Sequence, residues 1–274
     1  MADKLNFDSN MIEEVWRVYL TTGSPPDTIP MPWYRSRRLR SVYRHLPAEP
    51  RCRLCYYPFE GMGGLIVRHL FNTEPSKMNP QICNFCEEFV KEHGGGAEVE
   101  VSILFADVRG STSLAEKMNP TQYSQLIRRF NDAVTKALFA SGALVEKLIG
   151  DAVTGFFTTG IAGPDHARVA VQAARTIMKA TGHHLPSGPW IPVGIGIHTG
   201  IAYVGSTLST AGAADITVFG DTANTGARLA SLAGPGEIFA SQATAAAAGL
   251  DPADTDIQWL NLKGRDTPVE VWKL

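Results

Sequence analysis

Apolar positions along this chain follow two different periods. Near the N-terminus Ile12, Val15, Trp16, Tyr19 and Leu20 recur at helical spacing, and Asp8, Ser9 or Asn10 can cap the helix they predict. Ser24-Pro25-Pro26 and Pro30 to Pro32 then break the chain. A second, arginine-rich helix is predicted from about Tyr34 to His45. From Glu98 the period shortens, and Val99, Val101, Ile103 and Phe105 alternate in a strand predicted to reach Val108. Asn119 to Ser141 reads as a long amphipathic helix, with Asn119 as cap and Pro120 at its first position. Two apolar runs follow, Ala143 to Ile149 and Ala152 to Phe157, joined by a tight Gly150-Asp151 turn.

Beyond the hairpin come an alanine-rich helix from Asp165 to Thr181 and a strand from Trp190 to His198. A further strand ends at Val218, and Asp221 to Leu232 is helical. The last strands are predicted near Ile257 to Leu262 and Val269 to Lys273. This order, β-α-β-β-α-β, predicts an α+β domain of the ferredoxin-like split type. Gly94-Gly95-Gly96 reads as a flexible joint without side chains to pack, dividing residues 1–93 from a domain over 97–274.

The chain has 274 residues, enough for one large domain or two modest ones. A formal net charge of −2 argues against bulk attraction to nucleic acid or an acidic membrane. Arg35, Arg37, Arg38, Arg40 and Arg44 crowd the second predicted helix. They read as a solvated face with snorkelling stems, the alternative being a patch for nucleic acid or anionic lipid. No apolar run is long enough to span a membrane. The polar start, Met1 to Asn10, predicts no signal peptide. The expected setting is the cytosol, where thiols stay reduced.

Three segments carry candidate chemistry. In Phe105 to Thr112 an apolar strand ends in Asp107, followed by a glycine turn and Ser111-Thr112 opening a helix. Asp107 can hold a hard cation, and the N–H groups around Gly110, Ser111 and Thr112 can cradle phosphates; alternatively Asp107 only caps the helix. In Lys147 to Asp151 the turn could bring Asp151 near Asp107, where two carboxylates would hold two Mg²⁺, although Gly-Asp also suits a plain turn. Lys147 stands among apolar residues and is costly to bury without a partner, so it is expected to face a cleft. In Thr217 to Arg228, Asn224 and Arg228 share a helix face suited to a ribose and a phosphate. The plainer reading there is surface polarity, with Asp221 and Thr222 as caps.

Taken together and in this order, the three segments resemble the catalytic domain of class III adenylyl and guanylyl cyclases, over about Val99 to Leu274. Val193 to Gly200 and Leu262 to Arg265 look like that family's later strands. The resemblance implies a metal site of Asp107, Val108 and Asp151 for two Mg²⁺ or Mn²⁺. It implies that Lys147 and Thr217 read adenine, that Asn224 orients the ribose, and that Arg228 stabilises the α-phosphate. Lys263, or else Arg265, matches the position for the terminal phosphates. The implied activity is an adenylate cyclase, with ATP as substrate and two interface sites in a C₂ homodimer. A guanylate cyclase, or a silent nucleotide-binding cyclase fold, stands as the alternative. Gly226-Ala227 departs from the family's usual residues before the arginine, at a helix cost of about 1 kcal/mol for the glycine.

All the cysteines of the chain lie in two C-x₂-C pairs, Cys52 with Cys55 and Cys83 with Cys86. Four thiolates suit a structural Zn²⁺, and an iron–sulfur cluster uses the same number. The glycine- and proline-rich stretch between the pairs has little core of its own, so a metal would staple it.

Overall fold

The structure is a computed structural model, and it describes residues 8–24, 26, 42–43, 50–76, 79–208, 214–265 and 267–274. The helix expected from Tyr34 to His45 lies outside these residues, apart from Val42 and Tyr43. The chain divides into two units. One comprises Met1–Val99, Thr159–Ile161 and Tyr203–Val218; the other comprises Glu100–Thr158, Ala162–Ala202 and Phe219–Leu274.

In the first unit, α1 spans Ser9–Thr22. The Asp8 carboxylate accepts from the Met11 N–H at 2.8 Å, and Gly23 ends the helix in the left-handed region. Val15, Trp16 and Leu20 form its buried face. Helices α2 (Gly61–Phe71) and α3 (Asn84–His93) belong to the cysteine-bearing stretch. The triple glycine is not the loose joint its composition predicts. The Trp16 indole N–H donates to the Gly94 carbonyl at 2.8 Å, and the Ser206 N–H donates to the Gly95 carbonyl at 2.8 Å. A Cβ on Gly96 would stand 2.6 Å from Gly205 Cα, so this glycine lets two backbones touch.

The second unit is built on a sheet whose first strand, β1 (Gly96–Val108), begins in the first unit. After it come α4 (Ser111–Lys117), α5 (Pro120–Ala140), β2 (Leu144–Ile149), β3 (Ala152–Phe157), α6 (Thr159–Ala162) and α7 (His166–Ala180). Then follow β4 (Val193–Leu208), β5 (Ala214–Phe219), α8 (Asp221–Leu232), β6 (Ile238–Ser241), α9 (Gln242–Ala248), β7 (Asp256–Leu260) and β8 (Val269–Lys273). The strand order is β2-β3-β1-β4-β6-β8-β7, with β5 paired to β4. Its first four strands have the ferredoxin-like arrangement expected from the element order.

Alternation along β1 assigns its two faces. Leu104, Ala106 and Val108 join Phe130, Val134 and Leu138 of α5, and Ala170, Val171 and Ile177 of α7, in one fully buried cluster. On the opposite face α8 lies against Ile103 and Phe105. Two glycines permit that approach: a Cβ on Gly196 would stand 2.5 Å from the Gly226 carbonyl oxygen, and one on Gly226 would stand 3.0 Å from the Phe105 ring. Gly226 is therefore a packing residue, not only a weak helix former. Strand β4 continues past His198, where periodicity predicted an end, and β6 is too short to announce itself by pattern. Among the described residues no helix is long and apolar enough to cross a membrane.

Candidate active site

Antiparallel register brings the two aspartates together. Asp107 pairs with Ala152, the neighbour of Asp151, and the Val108 N–H donates to the Asp151 carbonyl at 3.0 Å. Helix α4 starts after Gly110, which has no side chain, so Asp107 is not its cap. The Asp107 carboxylate instead meets the Arg109 guanidinium, whose Nη1 also donates to the Ser231 carbonyl at 3.0 Å. Burial pushes the Asp107 carboxyl up; Arg109 opposes this, and the charge of Asp151 adds to it. Ser111, Thr112, Tyr123, Ser124, Gly150 and Asp151 line an open cleft. Tyr123 and Arg109 escaped the sequence reading. Arg109 could have been suspected from standing two places after a candidate ligand, but nothing in the α5 pattern marks Tyr123.

Lys147 sits on β2, at the sheet edge, after an irregularity between Val145 and Lys147 that shifts the register with β3. Its side chain is exposed, with Nζ 3.9 Å from the Glu146 carboxylate. Leu148 and Ile149 beside it are exposed apolar residues. Thr217 is buried on β5, in the first unit.

Helix α8 also begins after a glycine, Gly220, so neither Asp221 nor Thr222 caps it through its side chain. The Thr222 hydroxyl donates to the Ile201 carbonyl at 2.6 Å, and Asp221 pairs with Arg265. Arg265 also donates to the Thr225 hydroxyl at 2.9 Å, whereas its neighbour Lys263 is exposed. Asn224 is exposed one turn before Arg228, and the Arg228 guanidinium lies 3.4 Å from where a Cβ on Gly264 would stand. A buried hydroxyl chain backs this region. His166 Nδ1 meets Ser102 Oγ at 3.0 Å, and Ser102 meets Thr199 at 2.7 Å. Thr199 donates to Thr244 at 3.1 Å; Ser241 lies between Thr244 and His198 Nδ1, the last contact being 2.7 Å. Burial, with Arg265 nearby, lowers the His198 pKa to about 4, against the opposing charge of Asp221. Among the described residues no hydrogen bond joins Asn224 or Arg228 to Asp107 or Asp151.

The four cysteines form a second centre, within the first unit. All are buried and free, and their Sγ atoms lie within 4.8 Å of one another. Sγ of Cys52 is 3.7 Å from that of Cys86, and Sγ of Cys55 is 3.5 Å from that of Cys83, too far for disulfide bonds. A tight turn presents the first pair: the Tyr56 N–H donates to the Cys52 carbonyl at 2.9 Å. Cys83 is the N-cap residue of α3, and Cys86 lies in its first turn. Burial raises the Cys55 and Cys83 thiols well above their ordinary value. At Cys52 burial is outweighed by sulfhydryl and backbone donors, and its thiol falls well below it.

Comparison with known proteins gives this geometry a family. The Adenylate and Guanylate cyclase catalytic domain profile matches residues 96–272. An adenylate cyclase of Anabaena cylindrica is 32% identical over 146 residues, which are 52% of this chain and 29% of that protein. An uncharacterized protein of Mycobacterium tuberculosis is 31% identical over 183 residues, 65% of this chain and 33% of that protein. The chain thus spans about a third of the length of these relatives. Among solved structures, the guanylyl cyclase Cya2 superposes with a TM-score of 0.59 at 26% identity, covering 65% of this chain and 93% of its own. The adenylyl cyclase CyaB from P. aeruginosa has the same fold, with a TM-score of 0.57 at 23% identity, covering 65% and 94%. With the match running from the first strand of the sheet almost to the end of the last, the chain belongs to the adenylate and guanylate cyclase catalytic-domain family.

Proposed function

We propose that this chain converts ATP to 3′,5′-cyclic AMP and pyrophosphate as a C₂ homodimer. The observation that carries this reading is the meeting of Asp107 and Asp151 at adjacent strand ends, beside the cleft edged by Ser111 and Thr112. Two carboxylates whose charges act on each other offer hard oxygen donors that fit Mg²⁺ or Mn²⁺; Val108 can add only a backbone oxygen. Divalent cations held by Asp107 and Asp151 would acidify the ribose 3′-hydroxyl and offset the triphosphate charge. The N–H groups around Gly110 to Thr112 receive phosphate oxygens. Asn224 orients the ribose, and Arg228 meets the charge that grows at the α-phosphate as the 3′-oxygen attacks and pyrophosphate leaves. Lys147 and Thr217 read adenine. Lys263 takes the terminal phosphates, since Arg265 is engaged by Asp221 and Thr225.

The resemblance to the cyclase family supports giving Asp107 and Asp151 to one copy and Lys147, Thr217, Asn224 and Arg228 to the other. Leu148, Ile149 and Ile201 carry exposed apolar surface that a second copy would cover. Product formation tests the whole reading. The purified chain, given ATP or GTP with Mg²⁺ or Mn²⁺, should release cyclic AMP from ATP, and Asp107→Ala should abolish it. Cyclic GMP instead would keep the mechanism and overturn the roles given to Lys147 and Thr217. No cyclic product from a dimeric sample would leave a silent nucleotide-binding fold.

We further infer that Cys52, Cys55, Cys83 and Cys86 hold one Zn²⁺. A tetrahedron with Zn–S bonds of about 2.3 Å separates its sulfurs by roughly 3.8 Å, close to the two measured contacts. An iron–sulfur cluster spreads its thiolates over several irons and suits this tight grouping less well. Metal analysis showing zinc, without visible absorbance, is expected; a brown sample would reverse the assignment.

A further inference from the structure

The proposed reaction leaves one ion pair of the site without a part. Arg109 follows Asp107 by two places, and its Nη2 meets the Asp107 carboxylate. Its Nη1 donates to the Ser231 carbonyl at 3.0 Å, and its Nε donates to the Asp107 main-chain carbonyl at 3.4 Å. The pair is mostly withdrawn from water: the arginine side chain is 18% exposed and the aspartate 30%. Salt and solvent screen charges so placed only weakly. Backbone contacts hold the arm. The Arg109 N–H donates to the Pro192 carbonyl at 2.9 Å. Gly194 on β4 leaves the side chain room, since a Cβ there would stand 3.2 Å from Arg109 Cδ.

Arg109 thus stands between two posts of negative charge. One is the Asp107 carboxylate. The other is the C-terminus of α8, where Ser231 presents one of the last carbonyls, which a helix leaves without internal donors. The last turn of α8 carries no basic residue of its own, so Arg109 supplies the cation that a helix C-terminus favours. At the aspartates the same guanidinium takes a place that a metal would also take. It covers Asp107 and offsets the repulsion between Asp107 and Asp151. No ion pair to Asp151 is found among the described residues, so Arg109 closes one candidate ligand and leaves the other open. A divalent cation arriving at Asp107 meets a like charge at close range in a partly buried site, where repulsion is strong. It can bind by displacing Nη2 from the carboxylate, and the Ser231 carbonyl keeps the displaced guanidinium from being stranded without a partner.

We propose that Arg109 is the built-in counter-cation of Asp107, competing with the divalent cation for that carboxylate and moving onto the α8 C-terminus when the cation binds. This rests on Asp107 and Asp151 being metal ligands. Arg109 acts through Asp107, as a positioning residue, and sets the cation concentration at which the site fills. The test is titration of the full-length chain with Mn²⁺ alone, followed by loss of the free-ion electron paramagnetic resonance signal. Arg109→Met should tighten Mn²⁺ binding by about tenfold or more, because a like charge is removed from beside the site. Its metal-free form should melt lower, since Asp107 loses its partner, and saturating Mn²⁺ should raise its transition more than that of the native chain. Arg109→Gln, neutral and able to hydrogen-bond, gives a second variant that should tighten binding likewise. Arg109→Lys keeps the charge and should bind Mn²⁺ within about threefold of native. An arginine with only a structural part would leave Mn²⁺ binding equal or weaker in both neutral variants, and that result overturns the proposal. Tightening as large in Arg109→Lys would overturn it too. Asp107→Ala in the same titration separates this role from the metal site itself. If native binding is lost in Asp107→Ala but unmoved by the neutral variants, the metal site stands and the role of Arg109 falls. If Asp107→Ala binds Mn²⁺ as the native chain does, the metal site falls and takes the proposal with it.

Discussion

The cysteine-bearing stretch and the sheet unit overcome chain entropy by different means. In the sheet unit, Leu104, Phe130, Leu138, Phe156, Phe157, Ile177 and Ile195 are all fully buried, drawn from strands and helices far apart in sequence. Around the cysteines, the described buried residues include Tyr43, Tyr57, Phe59, Ile82, Val90 and the thiols themselves, with Val15 and Trp16 of α1 beside Cys86 and Val90, while α2 turns its largest side chains outward. A long chain can build a core by bringing distant apolar segments together. A short stretch rich in glycine and proline has less apolar surface to bury, and the metal proposed for the four convergent thiols would staple it. The difference also sorts the chemistry. Candidate catalytic side chains stand at strand ends and on a helix packed to the sheet, where backbone register holds them, whereas α2 is exposed over most of its surface.

The contrast can be broken most severely at the zinc centre proposed for the four cysteines. Cys55→Ser should empty the centre, and structural zinc contributes on the order of 10 kcal/mol to small folds of this kind. Metal content should fall to near zero and near-ultraviolet circular dichroism from Tyr57 and Phe71 should collapse, while the sheet unit keeps a cooperative transition. Loss of that transition as well would mean the two regions do not fold by separate means. A smaller blow falls on the sheet unit. Gly196→Ala would place a Cβ 2.2 Å from the Ala230 backbone nitrogen, and overpacking of this kind costs about 3 kcal/mol. Its thermal transition should drop by several degrees with zinc content unchanged.

Acid should separate the regions further. His198 has a folded pKa of about 4 against 6.5 when unfolded, so the unfolded chain binds the proton first as pH falls. The stability this histidine contributes is complete above pH 6.5 and is lost as pH drops towards 4, by up to about 3 kcal/mol. Denaturant unfolding of the sheet unit should show this slope, and His198→Gln should flatten it. The smallest effect is expected at Arg265→Ala. Its pair with Asp221 is partly exposed, so stability should change by at most about 1 kcal/mol. If the turn bearing Lys263 and Gly264 is held against α8 by that pair, nucleotide turnover should fall more than stability does. Equal losses would assign Arg265 a purely structural part.

Much of the scaffold was legible because its elements announce themselves locally. The Asn119 cap with Pro120 marks the start of α5, where the Asn119 side chain accepts from the Gln122 N–H at 2.9 Å. Gly150-Asp151 marks the hairpin, and Gly150 adopts the positive φ that such a turn asks for. Alternation in β1 marks which side chains enter the core. The extension of β4 beyond His198 and the strand β6 were not legible, because edge length and pairing come from partner strands rather than from local pattern. The roles of Asp107 and Asp221 were ambiguous for a similar reason. A carboxylate near a helix start looks like a cap until the position before the helix proves to be a glycine and an arginine proves to be its partner.

Sequence by itself determined the periods, the turns, the α+β order and the presence of four thiols, since these depend on near neighbours and on composition. Only the tertiary structure decided that Asp107 and Asp151 meet, that the four sulfurs converge, that Gly196 and Gly226 bring α8 onto the sheet, and that the apolar face of α2 points outward. Each of these joins residues, or a residue and solvent, whose spacing along the chain leaves their distance open. Strand register, backbone contact and burial are what close it.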